Sequence, residues 1–426
     1  MARKMKVCVL VGGPTSATRF RPLSFDVPKP LVPVAGLPLI AHHMNAISQL
    51  KEEGLLEVIL LGFFEEGVFK DFCADATAKL GVPVKYMKEP KHLGTAGGLA
   101  YFHNEINAGM SDSEDSKDVL IILHGDVLCP FPLKEMLEFY SKKEKAGGCV
   151  MGHRVSHEDV HHYGCLVYDK DTNEIVHYVE KPETEAVFSN TVNGGVYLFS
   201  VFSLYSHLAE IRTSLVKEMD VRASPGRIND SLSGSVGDGP VRIRMEHDLL
   251  PLMADDHLLY VYHFEDWWVP IKAPFQALEC SKHLMATPPP SPLPYSVVYT
   301  SKKERENVLG NNYIHPSAQV HPTALIGPNV AISANCKVGA GARVAHSILL
   351  PGTVLNDRCC VRYSILSVEN TVGKWARVDG QPTGKEGEGI TVTGKGVEIK
   401  PEIIVRSTII LPHKSVGESS EGRIIL

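Results

Sequence analysis

Val7-Cys8-Val9-Leu10-Val11-Gly12-Gly13-Pro14-Thr15-Ser16-Ala17-Thr18-Arg19-Phe20-Arg21-Pro22 runs from an apolar, β-branched segment into a glycine pair and on into basic and proline residues, with Pro28-Lys29-Pro30 following. The apolar segment predicts a buried strand ending in a tight turn. Gly12 and Gly13 let backbone N–H groups come close to a phosphate. Arg19 offers a guanidinium that can bond a phosphate through two hydrogens, and Lys29 offers a compact point charge. The string therefore predicts a nucleotide site at the end of the first strand.

Beyond it, strand-like runs at Val58–Leu61, Val84–Tyr86, Val119–Leu123 and Val196–Phe199 alternate with helix-like stretches such as Leu133 to Lys145. That alternation predicts an α/β, Rossmann-like domain with a mostly parallel sheet and helices on both faces. Ligands on such sheets sit at the carboxyl ends of the strands, which brings Gly12, His124-Gly125-Asp126 and Asn193-Gly194-Gly195 to one cleft. Residues 222–240 turn to Ser, Gly, Asp and Pro and read as a surface insertion. Pro288-Pro289-Pro290-Ser291-Pro292-Leu293-Pro294 reads as a stiff linker closing a first domain at 1–287, the linker spanning 288–310.

From 311 to 426 the pattern changes. Aliphatic residues recur every six positions at Ile314, Val320, Ile326, Ile332, Val338, Val344 and Leu350. The period then shifts to Val354, Cys360, Leu366, Val372 and Val378, and returns in Val397, Ile403 and Ile409. This is the hexapeptide signature of a left-handed parallel β-helix, in which each side of a triangular coil stacks one aliphatic residue on its counterparts. At about 379–396 the period lapses in a Gly-, Lys- and Glu-rich stretch that reads as a loop.

Composition narrows the function. At 426 residues, with 44% apolar and 22% charged residues, the chain has the make-up of a soluble protein with more than one core. A net charge of -6 without clustered Lys and Arg argues against nucleic-acid binding. No apolar run is long enough to span a membrane, and the stretch after the basic N-terminus is shorter than a signal-peptide core. Nine scattered cysteines without paired metal spacing predict reduced, buried thiols and a cytoplasmic protein.

The joined strings Gly12-Gly13 … Thr18-Arg19-Phe20-Arg21-Pro22 and Pro28-Lys29-Pro30, together with the hexapeptide tail, resemble the sugar-1-phosphate nucleotidylyltransferases, and within them the GDP-mannose pyrophosphorylases and their alpha, regulatory branch. The resemblance covers nearly the whole chain. It implies a nucleotidyltransferase domain with Arg19 and Lys29 at catalytic positions. It also implies that Glu89-Pro90-Lys91-His92-Leu93-Gly94-Thr95-Ala96-Gly97-Gly98 cradles the base and ribose, with Glu89 accepting from guanine N–H donors. Asp126 falls where the family binds Mg²⁺. Tyr163-Gly164, Glu180, Lys181 and Asn193 fall on the sugar-phosphate half. The implied partners are GDP-mannose, a catalytic beta subunit and further copies of this chain.

Two departures bear on chemistry. The glycine loop is two residues longer than the family's, with Ala17 where a second structural glycine would fall. Trp268-Val269-Pro270-Ile271-Lys272-Ala273-Pro274 places Pro270 where the family has its second metal carboxylate, and proline offers no side-chain ligand. These departures point to a non-catalytic, ligand-binding regulatory subunit. Two other readings stay open: an active GTP:mannose-1-phosphate guanylyltransferase using Asp126 alone or with Asp266, and an acyltransferase using the β-helix histidines His315, His321 and His346.

Overall fold

The computed structural model describes residues 3–15, 17–183, 189–223, 240–287, 293–300, 306–381 and 389–426, with side chains omitted for 218–223. The chain divides into two compact units that are not contiguous in sequence. One comprises Met1–Gly13 and Ala46–Trp268, the other Pro14–Asn45 and Val269–Leu426.

The first unit is built on a nine-stranded sheet. Its strands are β1 (Met5–Gly12), β2 (Leu55–Gly62), β3 (Val84–Lys88), β4 (Val119–His124), β5 (Gly148–Arg154), β6 (Gly164–Tyr168), β7 (Ile175–Glu180), β8 (Thr191–Ser200) and β9 (Leu259–Phe264). β1 is central and pairs in parallel with β2 on one edge and β4 on the other; β3 extends the parallel block beyond β2. Parallel strands buried on both faces need near-continuous apolar sequence. That is what Val7-Cys8-Val9 and Leu120-Ile121-Ile122-Leu123 provide, each residue being buried.

The parallel character predicted for the sheet holds across β3, β2, β1 and β4, but β8 enters antiparallel against β4, β5 and β6, and β7 is antiparallel to β6. The apolar run of a buried strand carries no information on its direction, which is why the pattern missed the reversal. One consequence corrects the predicted geometry of the cleft. Asn193-Gly194-Gly195 lies near the start of β8, and reaches the carboxyl edge of β1 and β4 because β8 runs the opposite way. Leu204, Leu208 and Ile211 of the helix Val201–Ala223 join one core layer with Cys8, Ile59, Leu120 and Ile122. The surface insertion predicted at 222–240 falls almost wholly outside the described residues.

In the second unit, three ladders of short parallel strands form the faces of the left-handed β-helix. Ile314 pairs with Ile332 and Ile332 with Leu349, steps of 18 residues (314 to 332) and then 17 (332 to 349). The shorter step corrects the sequence register: the stacked positions after Val344 are Leu349, Leu355, Val361, Leu366, Val372 and Val378, rather than Leu350, Val354 and Cys360. One side of each later coil is a residue short because its corner is taken in a single left-handed residue, His346, Tyr363 or Ser407, with φ of 46–48°. Val397 and Ile403 also face the interior, two positions before the stacked Ile399 and Val405, because alternate residues of a strand share a face.

Each tight corner is followed by a buried hydroxyl. Ser347, Ser364, Thr391 and Thr408 form a ladder in which Ser347 Oγ accepts from the Ser364 amide at 3.3 Å and Thr391 Oγ1 from the Thr408 amide at 3.3 Å. The strand Thr391–Thr393 belongs to the coil, so the loop predicted at 379–396 is confined to about 380–390, and most of it lies outside the described residues. Its ends are tied by Gln381 N–H donating to Gly389 O at 2.6 Å, and by the buried Asp379, whose carboxylate takes both Nε and Nη2 of Arg362 at 2.9 and 3.0 Å.

The described parts of 288–310 are built into this unit. Asn45 bonds both main-chain groups of Tyr295, Tyr299–Thr300 pairs with Asn312–Ile314, and Val308 enters the β-helix core. The four prolines and one serine at 288–292 lie outside the described residues. Gly36 packs on the ring of Tyr313, where a Cβ would come within 2.6 Å, and Ser281 Oγ accepts from the Ala35 amide at 3.1 Å. These contacts tie the segment 14–45 into the unit that carries the β-helix.

Arg362→Ala leaves the Asp379 carboxylate buried without its cation, so it should lower stability by about 1–3 kcal/mol. Chemical denaturation followed by circular dichroism measures this directly. A change within error would show that Asp379 is satisfied by its other neighbours.

Candidate functional site

At the carboxyl edge of β1, Gly12 turns the chain with φ of +69°. Gly13 has a different reason to be glycine: a Cβ there would sit 2.3–2.4 Å from the ring of Phe63, which itself meets His92 edge-on at 5.2 Å between centroids. The turn is held by main-chain bonds from Phe63 N–H to Gly12 O and from Gly125 N–H to Leu10 O, both 2.9 Å. Ala17 adopts φ of -101°, so the position filled by alanine makes no left-handed turn. Arg19 and Lys29 belong to the second unit. Arg19 is exposed on a single helical turn, Thr18–Phe20, whereas Lys29 is buried with its Nζ 5.8 Å from the Phe20 ring centroid.

The loop 93–98 is clamped by the segment 241–246. Ile243 N–H donates to Leu93 O, and Ile243 O accepts from the Ala96 and Gly97 amides, at 2.9–3.1 Å. Gly94, at φ +86°, lies so near Ile243 O that a Cβ would approach to 2.2 Å. Thr95 Oγ1 donates to Glu246 Oε2 and accepts from Met245 N–H, both at 2.7 Å. Glu89 stands beneath this loop. It is buried, one oxygen accepts from Leu93 N–H at 3.3 Å, and the other lies where a Gly98 side chain would have been. Burial pushes its carboxyl up from 4.5 to about 7, the Leu93 amide only partly offsetting this.

The other half of the site is a chain of polar side chains. Lys181 Nζ donates to Glu180 Oε1 at 2.7 Å, and Tyr178 Oη donates to Glu180 Oε2 at 2.9 Å. Asn193 gives one amide hydrogen to Tyr178 Oη at 3.3 Å and the other to Tyr197 Oη at 2.9 Å, while its oxygen accepts from Gly195 N–H at 3.0 Å. Tyr197 Oη lies 3.4 Å from His124 Nε2, which is 3.7 Å from Glu246 Oε1. The chain is therefore continuous from Lys181 to Thr95. Burial raises the phenols of Tyr178 and Tyr197 well above their usual range, so both remain protonated donors. Gly164 is required by this arrangement, since a Cβ would collide with Tyr178 Oη at 1.9 Å. Trp268 braces the same turn, its indole N–H donating to Gly194 O at 2.9 Å and its ring packing against Tyr163 and His153.

The structure thus places Gly12, Gly13, Glu89, Gly94, Thr95, Gly97, Asp126, Gly164, Glu180, Lys181 and Asn193 within the first unit. Main-chain pairing of β1 with β4 and of β4 with β8 brings their motifs to one sheet edge. Sequence reasoning brought His124 to the cleft without a role and missed Tyr178, Tyr197 and Glu246. For the two tyrosines a signal exists in hindsight, at two residues before Glu180 and four after Asn193; Glu246 has no motif around it.

The carboxylate set for a metal is incomplete. Asp126 is half-buried at the end of β4, and Asp266 is exposed, one oxygen accepting from the Trp267 amide at 2.7 Å. Pro270 belongs to the second unit, and its side chain has no ligand atom to offer. Among the described residues no group of three or more His, Cys, Asp and Glu is arranged to hold a metal ion. With proline at the second carboxylate position, the residues do not fit the two-carboxylate site implied by the resemblance. The cysteines are free; eight are buried and Cys360 is half-buried. Among the described residues no helix is long and apolar enough to cross a membrane.

Comparison with known proteins places these observations. Residues 6–220 match the family described as nucleotidyl transferase, and residues 308–425 match one described as the GMPPB C-terminal domain. The chain is 39% identical over 436 residues to the mannose-1-phosphate guanylyltransferase regulatory subunit alpha of Dictyostelium discoideum, covering 99% of this chain and 98% of the relative. It is 37% identical to regulatory subunit alpha-B of Danio rerio and 36% to regulatory subunit alpha of Rattus norvegicus, each comparison covering 99% of this chain and all of the relative.

The raised carboxyl of Glu89 has a sign that can be checked. Its folded value lies above its unfolded one, so its contribution to stability is full below about 4.5 and is lost as pH rises through about 7. Glu89→Gln should therefore gain thermal stability relative to the parent between pH 5 and pH 8. A melting-temperature difference that stays flat over that range would show that Glu89 carries no buried charge.

Proposed function

The chain belongs to the mannose-1-phosphate guanylyltransferase regulatory-subunit alpha family of the nucleotidyl transferases, and from that premise we propose that it is a non-catalytic subunit that binds GDP-mannose and regulates a catalytic beta partner. The observation that carries this reading is Pro270. The family reaction, attack of a sugar phosphate oxygen on the α-phosphorus of a nucleoside triphosphate, is driven by positioning and by neutralising developing charge. A proline at the second carboxylate position removes part of that neutralisation and leaves the groups that hold a product-shaped ligand.

In this reading Glu89, as a carboxylate, accepts from the guanine N1 and N2 donors within the 93–98 loop. Gly94 and Gly97 let the backbone approach the base and ribose. Glu180 takes sugar hydroxyls and Lys181 the phosphate nearest the sugar, without giving up its Glu180 partner. Asn193 orients the two tyrosines and the Gly194 turn, and its second oxygen lone pair faces a sugar hydroxyl. Binding in this scheme does not require Mg²⁺. Occupancy is transmitted to the catalytic subunit as feedback inhibition, for which the partner must contact the two states of this chain differently. The loop at 381–389 and self-association through the β-helix are the proposed structural means, in a cytoplasmic assembly.

Asp126 keeps the active-enzyme reading testable. The purified chain should bind GDP-mannose in calorimetry and release no pyrophosphate from GTP and mannose-1-phosphate. Robust Mg²⁺-dependent release would install the guanylyltransferase reading instead. Chelation with EDTA should leave GDP-mannose affinity within about twofold, a shift small beside one hydrogen bond. Lys181→Ala should weaken GDP-mannose about tenfold and GDP much less, losing one charge-assisted bond; equal losses would misplace the sugar half.

Glu89 gives the same site a pH signature. Because the base is held by the ionised form, GDP-mannose affinity should fall as pH drops below about 7, by up to about tenfold per pH unit. Calorimetry across that range, with Glu89→Gln losing the slope, is the check. A parental affinity independent of pH between 5 and 8 would remove Glu89 from the base contact.

A further inference from the structure

The third face of the β-helix carries two outward columns of different character. It is formed by Leu325–Ile326, Arg343–Ala345, Cys360–Arg362, Arg377–Asp379, Ile404–Arg406 and Ser420–Glu421, with Ile326, Val344, Val361, Val378 and Val405 in the core. One column is neutralised internally: Arg362 by Asp379, and Arg406 by Glu421 at 3.6 Å. The other stacks Leu325, Arg343, Cys360, Arg377 and Ile404 in register. Arg343 and Arg377 are exposed, and among the described residues neither guanidinium has a hydrogen-bond or ion-pair partner. The Cys360 thiol between them is pushed up by burial and so supplies no negative charge.

The corner that leads into this face is more unusual. Gly341, Arg358, Trp375 and Glu402 occupy it in successive coils, each with positive φ, between 58° and 66°. Glycine meets that demand without cost, and a bulky side chain there is an outlier. Trp375 pays this cost without the compensation of burial, remaining 55% exposed, with the Arg358 guanidinium 4.9 Å from its ring centroid. Leu325 and Ile404 are exposed on either side, at 39% and 41%. Neither the corner geometry nor the core accounts for a tryptophan here.

Tryptophan and arginine are the side chains that dominate protein interfaces. We propose that this face docks an acidic surface of a partner subunit, with Trp375 as its apolar anchor and Arg343 and Arg377 receiving carboxylates. The occupant is a different chain. An isologous contact of this face with its own copy would set the unpaired arginines against each other. Adjacent strands lie about 4.8 Å apart, so the two arginines, two coils apart, suit carboxylates spaced by about 10 Å. Glu402, one coil beyond Trp375, bounds the patch with a like charge for such a partner. The choice of the catalytic beta subunit as that chain rests on the function proposed above.

The test uses the full chain and the catalytic subunit of the same organism, with association followed by biolayer interferometry at low and high salt. Arg343→Glu combined with Arg377→Glu should weaken association by at least about tenfold and flatten its salt dependence. Trp375→Asn, which suits a left-handed corner, should weaken it by at least about tenfold with the salt dependence retained. GDP-mannose binding in both variants should match the parent, which shows that the fold is intact. Parental affinity and salt slope in both variants would overturn this face as the docking surface while leaving the regulatory reading standing. A parent chain that does not associate at all would overturn that reading and this occupant together.

Discussion

Main-chain pairing on both edges of β1 is the constraint from which the site follows. A central parallel strand must send its neighbours in the same direction, so the turns that end β1, β2 and β4 emerge at one edge of the sheet. Main-chain bonds from Phe63 to Gly12 and from Gly125 to Leu10 continue the pairing past the ends of the strands and fix the height at which the loops begin. The antiparallel entry of β8 brings Asn193 to the same edge. No loop has to find the cleft by itself.

What those loops share is a run of hydrogen bonds that leaves few polar atoms idle. Asn193 spends both amide hydrogens on tyrosine hydroxyls, and those hydroxyls reach Glu180 on one side and His124 on the other. Such networks stabilise when every member is satisfied and are costly when one is removed. The glycines at 94, 98 and 164 belong to the same economy of space, each giving room to an oxygen that a methyl group would displace. Binding residues and packing residues cannot be separated here, which is why substitutions in this region call for a ligand-specific readout beside a stability measurement.

The elements that were legible in the sequence are those whose physics is local. The runs Val7–Val11 and Val119–Leu123 announce buried strands because β-branched apolar residues suit them, and the six-residue period of 314–344 announces the β-helix because one side chain per face must enter the core. Glu89, Asp126 and Asn193 could be named as candidates through the short strings around them. Strand direction was not, since an apolar run reads the same both ways. The register beyond Val344 was missed because Leu349 and Leu350 are both buried, and only the left-handed corner at His346 decides which one stacks. Tyr178, Tyr197 and Glu246 were invisible because their meeting with His124 depends on antiparallel register and on a segment arriving from after residue 240.

The coil length gives the β-helix something close to a reading frame. Every side chain downstream of a given corner owes its inward or outward direction to the number of residues already spent, and coils of 17 and 18 residues coexist because the difference is absorbed at a corner. Loss of one residue within a strand would turn the following valines to solvent and the arginines to the interior. Loss of one whole coil would be nearly silent to those that remain. Genes for such a domain should therefore lengthen and shorten in coil-sized steps, with excursions such as the one after Asp379 tolerated only where the chain leaves and rejoins at the same point of the same turn.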